Sequence, residues 1–254
     1  MSLNRRAAFA VIALGAIATS ATSCAPTPEP RPASPPAFAL TAAEVVFAAG
    51  HPYPVNFIFV APESDAIWTD LTGVELPGDA SVGPGEFDVI RGAVVDGYQL
   101  GNITFEITIP ADGIAFESIG LVYAHSTEPE YVDVESWTLT EARPEEFATA
   151  DAKAEVTAMS ECTRAELPVP PPLASVGKFS TGSSDVSAED VALAPDRGAI
   201  DISLSCTNDA DFYVISPTLD YTDTEGTAKS TRFAPIAIGF QDIDDADFRR
   251  IRQR

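Results

Sequence analysis

The residue types that most often carry catalysis are scarce in this chain. It has two histidines, His51 and His125, and two methionines, Met1 and Met159, too few for a copper site built from His and Met. The metalloprotease motif H-E-x-x-H, the hydrolase motif G-x-S-x-G, the P-loop and the dinucleotide motif G-x-G-x-x-G do not occur. Both histidines lie in short stretches typical of loops. We therefore recognise no catalytic constellation and expect no enzyme activity.

Four carboxylates lie within six residues near the C terminus: Asp242, Asp244, Asp245 and Asp247. Ca²⁺ prefers oxygen ligands, so this cluster is a candidate calcium site. It lacks the glycine and the terminal glutamate of an EF-hand loop, which favours the plainer interpretation as a solvated acidic segment. Apart from this Ca²⁺ candidate, we expect no cofactor.

The charge balance is strongly acidic. The 254 residues include 38 Asp and Glu against 15 Lys and Arg, a formal charge of −23. Nucleic acid is excluded as a partner, because phosphate binding needs clustered basic residues. Between residues 41 and 142 there are 17 acidic residues and a single basic one, Arg91. This range is therefore the first place to look for a cationic partner.

Two further groups of residues have binding interpretations. The aromatic residues Trp68, Trp137, Tyr53 and Tyr131 could stack on sugar or peptide, although packing in the core is the commoner role of an aromatic residue in a strand. Residues 249–254 form a basic segment. It is either a frayed terminus or a segment that docks on the protein's own acidic surface or on anionic lipid.

The first 23 residues have the pattern of a secretory signal. Arg5 and Arg6 precede an uncharged apolar stretch over residues 7–18, which is too short to span a membrane. The following Ala21-Thr22-Ser23-Cys24 resembles the lipobox of bacterial lipoproteins, in which a diacylglyceryl group is attached to the cysteine. Together with the Ala-rich, Lys-poor composition, it resembles the lipoproteins of high-GC Gram-positive bacteria. The resemblance implies export and lipid anchoring at Cys24; cleavage near Ala18 or Ala21, which would release a soluble secreted protein, is the alternative.

Residues 24–40 contain the anchor cysteine and a Pro-rich stretch. Six prolines lie between residues 25 and 37, a composition that favours an extended polyproline II spacer of roughly 40 Å. A folded body held away from a membrane is the expected arrangement.

The remaining two cysteines, Cys162 and Cys206, are expected to form a disulfide. With Cys24 assigned to lipid, they form a pair, and disulfides persist in exported proteins. They do not form a C-x-x-C motif, so we expect a structural bond.

The body of the chain looks like one module present twice. Residues 72–77 and 80–83 (TGVELP and ASVG) are echoed by 163–168 and 174–177 (TRAELP and ASVG), and the strand-like segment 103–109 is echoed by 200–206. On these offsets Cys162 corresponds to Leu71 and Cys206 to Ile109. Periods near 100 residues indicate tandem domains.

Each half predicts an antiparallel β-sandwich of the immunoglobulin-like class. Apolar residues alternate with polar ones over 103–109 and 200–206, as in half-buried strands. Further strands are predicted at 44–48, 55–60, 87–95, 114–123 and 131–140, with Asp112-Gly113 as a hairpin turn and a short helix over 145–154. The fold class is therefore all-β, with sandwich domains at 41–143 and 150–242 and an acidic-then-basic tail at 243–254.

The expected function is a lipid-anchored protein at the outer face of the cell membrane, with a non-catalytic binding or structural role towards an unknown cell-surface or cationic partner. The alternative is a secreted hydrolase that acts on wall polysaccharide or ester. The two hypotheses differ in the expected site, because the hydrolase needs a cleft lined by Asp or Glu over an aromatic floor.

Overall fold

The computed structural model describes residues 35–78, 80–149, 151–153, 155–170, 172–207 and 209–254, which belong to one compact unit. The fold is all-β, as predicted. The strands that precede residue 143 are β1 Ala37–Phe38, β2 Thr41–Ala48, β3 Tyr53–Pro62, β4 Leu71–Glu75, β5 Phe87–Val95, β6 Tyr98–Ile107, β7 Ile114–Tyr123 and β8 Glu130–Ala142. The later strands are β9 Thr157–Met159, β10 Arg164–Pro168, β11 Leu173–Ser180, β12 Val186–Ala194, β13 Ala199–Cys206, β14 Phe212–Ile215, β15 Thr218–Asp223, β16 Ala228–Arg232 and β17 Ile236–Ile238.

The first half is a two-layer sandwich with immunoglobulin-type connectivity. One sheet has the order β1-β3-β6-β5, and the facing sheet contains β4-β7-β8. Numbered along the chain, these are the ABED and CFG sheets of a constant-type immunoglobulin domain. The predicted alternation is confirmed, since Ile103, Phe105 and Ile107 are all buried. In the core between the layers, Trp137 stacks on Phe116.

The second half repeats this connectivity. Its sheets have the orders β10-β13-β12 and β11-β15-β16, which match β3-β6-β5 and β4-β7-β8 strand for strand and support the predicted duplication. The strand pairing corrects part of the alignment, however. The segment 72–77 forms β4 at the edge of one layer, whereas its echo 163–168 forms β10, the counterpart of β3. The correspondence of Cys162 with Leu71 is therefore wrong.

The two halves share one sheet. β2 pairs in parallel with β8 on one side and with β14 on the other, so the sheet continues as β4-β7-β8-β2-β14-β17-β9. Strands of the second half thus extend the CFG layer of the first. Hydrogen bonds of this sheet join residues on both sides of the predicted boundary at 143–150; the division into two domains stays a prediction.

Two local predictions, one of a hairpin turn and one of a helix, need correction. Asp112-Gly113 does form a tight turn, in which Gly113 N donates to Pro110 O, but the turn joins β6 to β7 in the opposite layer rather than closing a hairpin. In place of a helix over 145–154, there are short 3₁₀ helices at Pro144–Glu146 and Asp151–Lys153. A third 3₁₀ helix covers Ala66–Trp68.

The predicted disulfide is confirmed. Cys162 and Cys206 are bonded, with 6.0 Å between their Cα atoms and a sequence separation of 44. The bond joins the residues just before β10 to the end of β13, its antiparallel neighbour. Both cysteines pack against the second core as half-buried residues.

The C-terminal segment, which the sequence predicted to be a tail at 243–254, is mostly helical. It contains the helix α1, Asp245–Arg252, whose buried residues Phe248 and Ile251 pack on Ile58 and Val60 of β3. The segment therefore packs on the body of the protein through an apolar face, and the docking of its arginines on an acidic surface stays a prediction. Among the described residues, no helix has the length and apolar character needed to cross a membrane.

Candidate functional site

The expected anchor lies outside the described residues. This applies to the signal at 1–23, to Cys24 and to the linker as far as residue 34. The last part of the predicted linker is ordered, because β1 pairs with β3 through Phe38 and Phe59. The Pro-rich segment therefore leads directly into the sandwich.

The four C-terminal aspartates include the residues that start α1. Asp244 Oδ1 accepts hydrogen bonds from the backbone N of Ala246 and of Asp247 at 2.7 and 2.9 Å, and Asp247 Oδ2 accepts from Asp244 N at 3.2 Å. This is a capping box, which satisfies the free N–H groups of the first turn. The backbone N–H groups of Asp247 and Ala246 hold the pKa of Asp244 below its ordinary value.

Asp247 also forms an ion pair within α1, because its Oδ1 lies 2.8 Å from Arg250 Nη2. Within the described ranges, no group of three or more His, Cys, Asp or Glu side chains is arranged to hold a metal ion. The structural role seen for Asp244 and Asp247 is thus helix capping.

A buried carboxylate fixes the end of the chain. The Asp211 side chain is fully buried, and its Oδ1 accepts from Arg250 Nε at 2.6 Å and from Arg254 Nη2 at 3.1 Å. Its other oxygen accepts from Leu40 N at 2.8 Å. Asp211 therefore joins the segment before β2 to the C-terminal helix.

Most of the aromatic candidates are core residues. Tyr53, Trp68 and Trp137 are 2%, 8% and 2% exposed, whereas Tyr131 is 67% exposed. Both indoles are satisfied by backbone acceptors, Pro62 O for Trp68 and Val134 O for Trp137. Of the four, only Tyr131 offers a surface for stacking.

The described acidic residues of 41–142 are largely without cationic partners. Among the ion pairs between described residues, the single one that includes a carboxylate of this range joins Asp96 to Arg252 at 4.0 Å. The range's one basic residue, Arg91, lies over the ring of Trp68 with 4.9 Å to its centroid. In the second half, by contrast, Asp201 pairs with both Arg164 and Arg197.

Three of these carboxylates line one concavity. Glu86, Asp88 and Glu106 surround a depression of about 410 Å³, together with Phe87 and Phe105. The pairing of β5 with β6 brings them together, because Asp88 lies opposite Thr104 in the register. Glu86 Oε2 also accepts from Gly83 N at 2.7 Å.

A separate cavity lies where the two halves meet. It has a volume of about 250 Å³ and is lined by residues of β3, β6 and β8 on one side and of β9, β14 and β17 on the other. Its aromatic lining consists of Tyr53, Trp137 and Phe240, and its polar side chains besides Tyr53 are Asn56 and Asn102. None of the described residues that line it is Asp or Glu, so this lining differs from the acidic cleft that the hydrolase hypothesis needs.

The polar side chains of the cavity are incompletely satisfied. Asn102 Nδ2 donates to Asn56 Oδ1 at 2.8 Å, and Asn102 Oδ1 is buried without a hydrogen-bond partner among the described residues. Burial raises the pKa of Tyr53 above its ordinary value. Sequence reasoning missed this cavity, because its only trace there is two asparagines at polar positions of strands.

Comparison with known proteins adds no family to this picture: no protein-family model matches the chain, and no curated protein matches its sequence.

Proposed function

We propose that the chain is a non-catalytic binding protein of the cell envelope, anchored by a lipid on Cys24, whose acidic first half binds a cationic partner at the cell surface. The observation that carries the proposal is the near absence of ion pairs to the carboxylates of 41–142 within the described structure.

The two halves of the chain differ in how many of their carboxylates are ion-paired. Four carboxylates of the second half (Glu166, Asp201, Asp211 and Asp223) and Asp247 of the C-terminal helix have arginine or lysine partners within the chain. The range 41–142 carries 17 carboxylates and one arginine, and this arginine lies over an indole ring. A surface of one sign attracts opposite charge and accelerates association, with an effect that salt screens over about 10 Å at 0.1 M.

The anchoring part of the proposal combines three features. The Cys24 segment resembles a lipobox, the Pro-rich residues that follow suit a spacer, and β1 begins immediately after them. The disulfide is compatible with an oxidising compartment. Together they support a body displayed outside the membrane.

The anchor is tested by cell fractionation of the Cys24→Ala variant. We expect this variant to leave the membrane fraction and to lack the mass of a diacylglyceryl group. Ser23→Ala is the matched control, because it keeps a small residue before the cysteine and should remain membrane-bound. If Cys24→Ala stays in the membrane fraction, the lipid anchor is refuted; if the wild type is found in the medium, the chain is secreted.

The binding surface is tested with an oligolysine peptide as the cationic probe. Neutralising three carboxylates of the concavity (Glu86→Gln, Asp88→Asn, Glu106→Gln) should weaken binding roughly tenfold, since exposed charge pairs contribute about 0.2–1 kcal/mol each. The matched control neutralises three exposed residues of the second half (Glu189→Gln, Asp190→Asn, Asp220→Asn). Equal loss in the two variants would show that only net charge matters and would contradict a binding surface in the first half.

The hydrolase alternative is favoured by one observation, the same acidic concavity over Phe87 and Phe105. Carboxylate pairs are the usual catalysts of glycoside hydrolysis. Assays on purified wall polysaccharide and on a nitrophenyl ester test it directly. Turnover by the wild type that is lost in the concavity variant but kept in the second-half control would replace the binding proposal.

A further inference from the structure

The outermost strand of the first sheet, β5, has a free edge. β5 lies at the end of the order β1-β3-β6-β5 and pairs with β6 on one side. On its other side, no strand of the described ranges pairs with it. Residues 90–94 of β5 are all exposed. An exposed edge of this kind is a template on which another chain can pair as a strand.

The register of the sheet identifies the backbone groups at this edge. Ala39 N donates to Ile58 O, so the even-numbered residues of β3 point their N–H and C=O groups towards β1 and the odd-numbered ones towards β6. The register is unbroken from β3 through β6 into the first part of β5, and these directions alternate along an antiparallel ladder. The N–H and C=O groups of Phe87, Val89 and Arg91 therefore point towards the free edge.

The side chains along β5 differ between the two faces of the sheet. Val89 packs on the core, whereas Asp88 is exposed and Ile90 is 51% exposed. Successive side chains of a strand alternate between the faces, so Asp88 and Ile90 are neighbours on the outer face. Glu106 of β6 lies on the same face, because it is exposed between two buried residues. The outer face thus offers carboxylates with an exposed apolar side chain beside them.

The charge of this surface indicates what pairs with the edge. Glu86, Asp88 and Glu106 line one concavity, and none of them takes part in an ion pair between described residues. A second copy of the chain would bring the same 17 acidic residues and one basic residue of 41–142 against this surface, and this like charge opposes self-pairing. An extended cationic segment has the complementary charge and supplies backbone partners for the edge.

We infer that the cationic partner binds as a β-strand added along β5, with outer-face residues that alternate as apolar, cationic and cationic. The apolar side chain packs on Ile90, the first cationic side chain pairs with Asp88, and the second reaches Glu86 and Glu106. The added strand runs antiparallel to β5, since that ladder is the more stable one, and main-chain hydrogen bonds contribute to its affinity. This inference rests on the proposed function, because it specifies the form in which the cationic partner binds.

Two end-blocked peptides of identical composition separate strand addition from charge attraction. Thr-Ile-Thr-Lys-Thr-Lys-Thr has the required alternation, and Ile-Thr-Thr-Lys-Lys-Thr-Thr does not. In titration calorimetry with the full chain, the alternating peptide should bind about tenfold more tightly, the effect of one or two net hydrogen bonds. Methylation of the threonine backbone nitrogens removes the N–H groups that face β5 and should cancel this gain. Methylation of the lysine backbone nitrogens, which face away, should leave it.

Ile90→Thr tests the edge from the side of the protein, and Leu193→Thr is the matched control. Leu193 is 39% exposed and lies on β12, the corresponding edge strand of the second half. Because both side chains are exposed, neither change should lower the melting temperature appreciably. Ile90→Thr should weaken binding of the alternating peptide about fivefold through the lost apolar contact and leave the shuffled peptide unchanged. Leu193→Thr should change neither affinity.

The outcomes distinguish this inference from the proposed function. Equal affinity for the two peptides, or equal loss from the two kinds of methylation, would overturn strand addition while the cationic surface stands. If neither peptide binds at millimolar concentration and oligolysine does not bind either, both proposals fail. A wild-type dimer in sedimentation that Ile90→Thr dissociates would identify a second copy as the strand on this edge and would also overturn the inference.

Discussion

Removal of the Cys162–Cys206 disulfide should lower the free energy of unfolding by an amount that follows from the length of the loop it closes. The bond closes a loop with a sequence separation of 44 residues. In the chain-entropy model, a crosslink lowers the entropy of the unfolded chain by about 2.1 + 1.5R ln n cal/mol/K, which for this loop gives about 4 kcal/mol at 25 °C. The double variant Cys162→Ala/Cys206→Ala should lose about that much free energy of unfolding.

The assay is urea unfolding followed by Trp fluorescence and circular dichroism together. Cys24→Ala is the control, because it removes a cysteine that is not part of the bond and should leave the midpoint unchanged. Reduction of the wild type by a thiol should shift the midpoint as far as the double variant does. A loss below about 1 kcal/mol for the double variant, with an unchanged denaturant slope, would refute the chain-entropy reasoning for this loop.

Three further predictions concern the way the chain is held together. Asp211→Asn should cost about 2–4 kcal/mol in urea unfolding, because it removes the buried charge that pairs with two arginines near the C terminus; a loss under 0.5 kcal/mol would contradict the role of Asp211 in fixing α1. Gly101→Ala should lower the melting temperature sharply, since its Cβ would lie 2.2 Å from Phe59 Cζ, whereas Gly83→Ala, whose Cβ meets an ordinary contact at 3.5 Å, should not; equal effects would contradict this packing argument. The pKa of Asp244 is lowered by backbone N–H groups, so its contribution is fully present above about pH 4 and disappears as the pH falls through the folded-state pKa; the stability difference between wild type and Asp244→Asn should therefore shrink between pH 6 and pH 3, and a constant difference would show that the charge of Asp244 is not involved.

Strand positions were predictable because they depend on local alternation. The strands predicted at 87–95 and 114–123 agree with β5 and β7 residue for residue. Apolar side chains at every second position fix which face is buried, and that preference does not depend on which strand lies next to it.

Strand pairing was less predictable, and the two Asp-Gly turns show the reason. Asp96 and Gly97 both have positive φ, and they close the hairpin of β5 and β6. Asp112-Gly113 has the same sequence, but it carries the chain from one layer to the other. The dipeptide determines only the local backbone; the partner of the next strand depends on which layer still has an apolar face to cover.

The sequence of α1 has the pattern of a helix, but the high count of acidic residues in this segment drew attention away from it. An aspartate at the N-cap, another three residues later, apolar residues at 248 and 251 and arginines at the end together form the pattern of a capped amphipathic helix. Counting carboxylates between 242 and 247 without this periodicity suggested a calcium site. Two of the four candidate ligands, Asp244 and Asp247, cap the N-terminus of this helix, and the calcium site stays a prediction.

The cavity could not have been predicted from either half alone. Asn56 and Asn102 occupy outward positions of β3 and β6, where a single sandwich would place them in water and a polar residue carries no information. They become cavity residues because β14, β17 and β9, which belong to the second half by sequence, extend the sheet of the first half and help to form its lining. The cavity is therefore a product of the extended sheet, which the parallel pairing of β2 with β14 holds together.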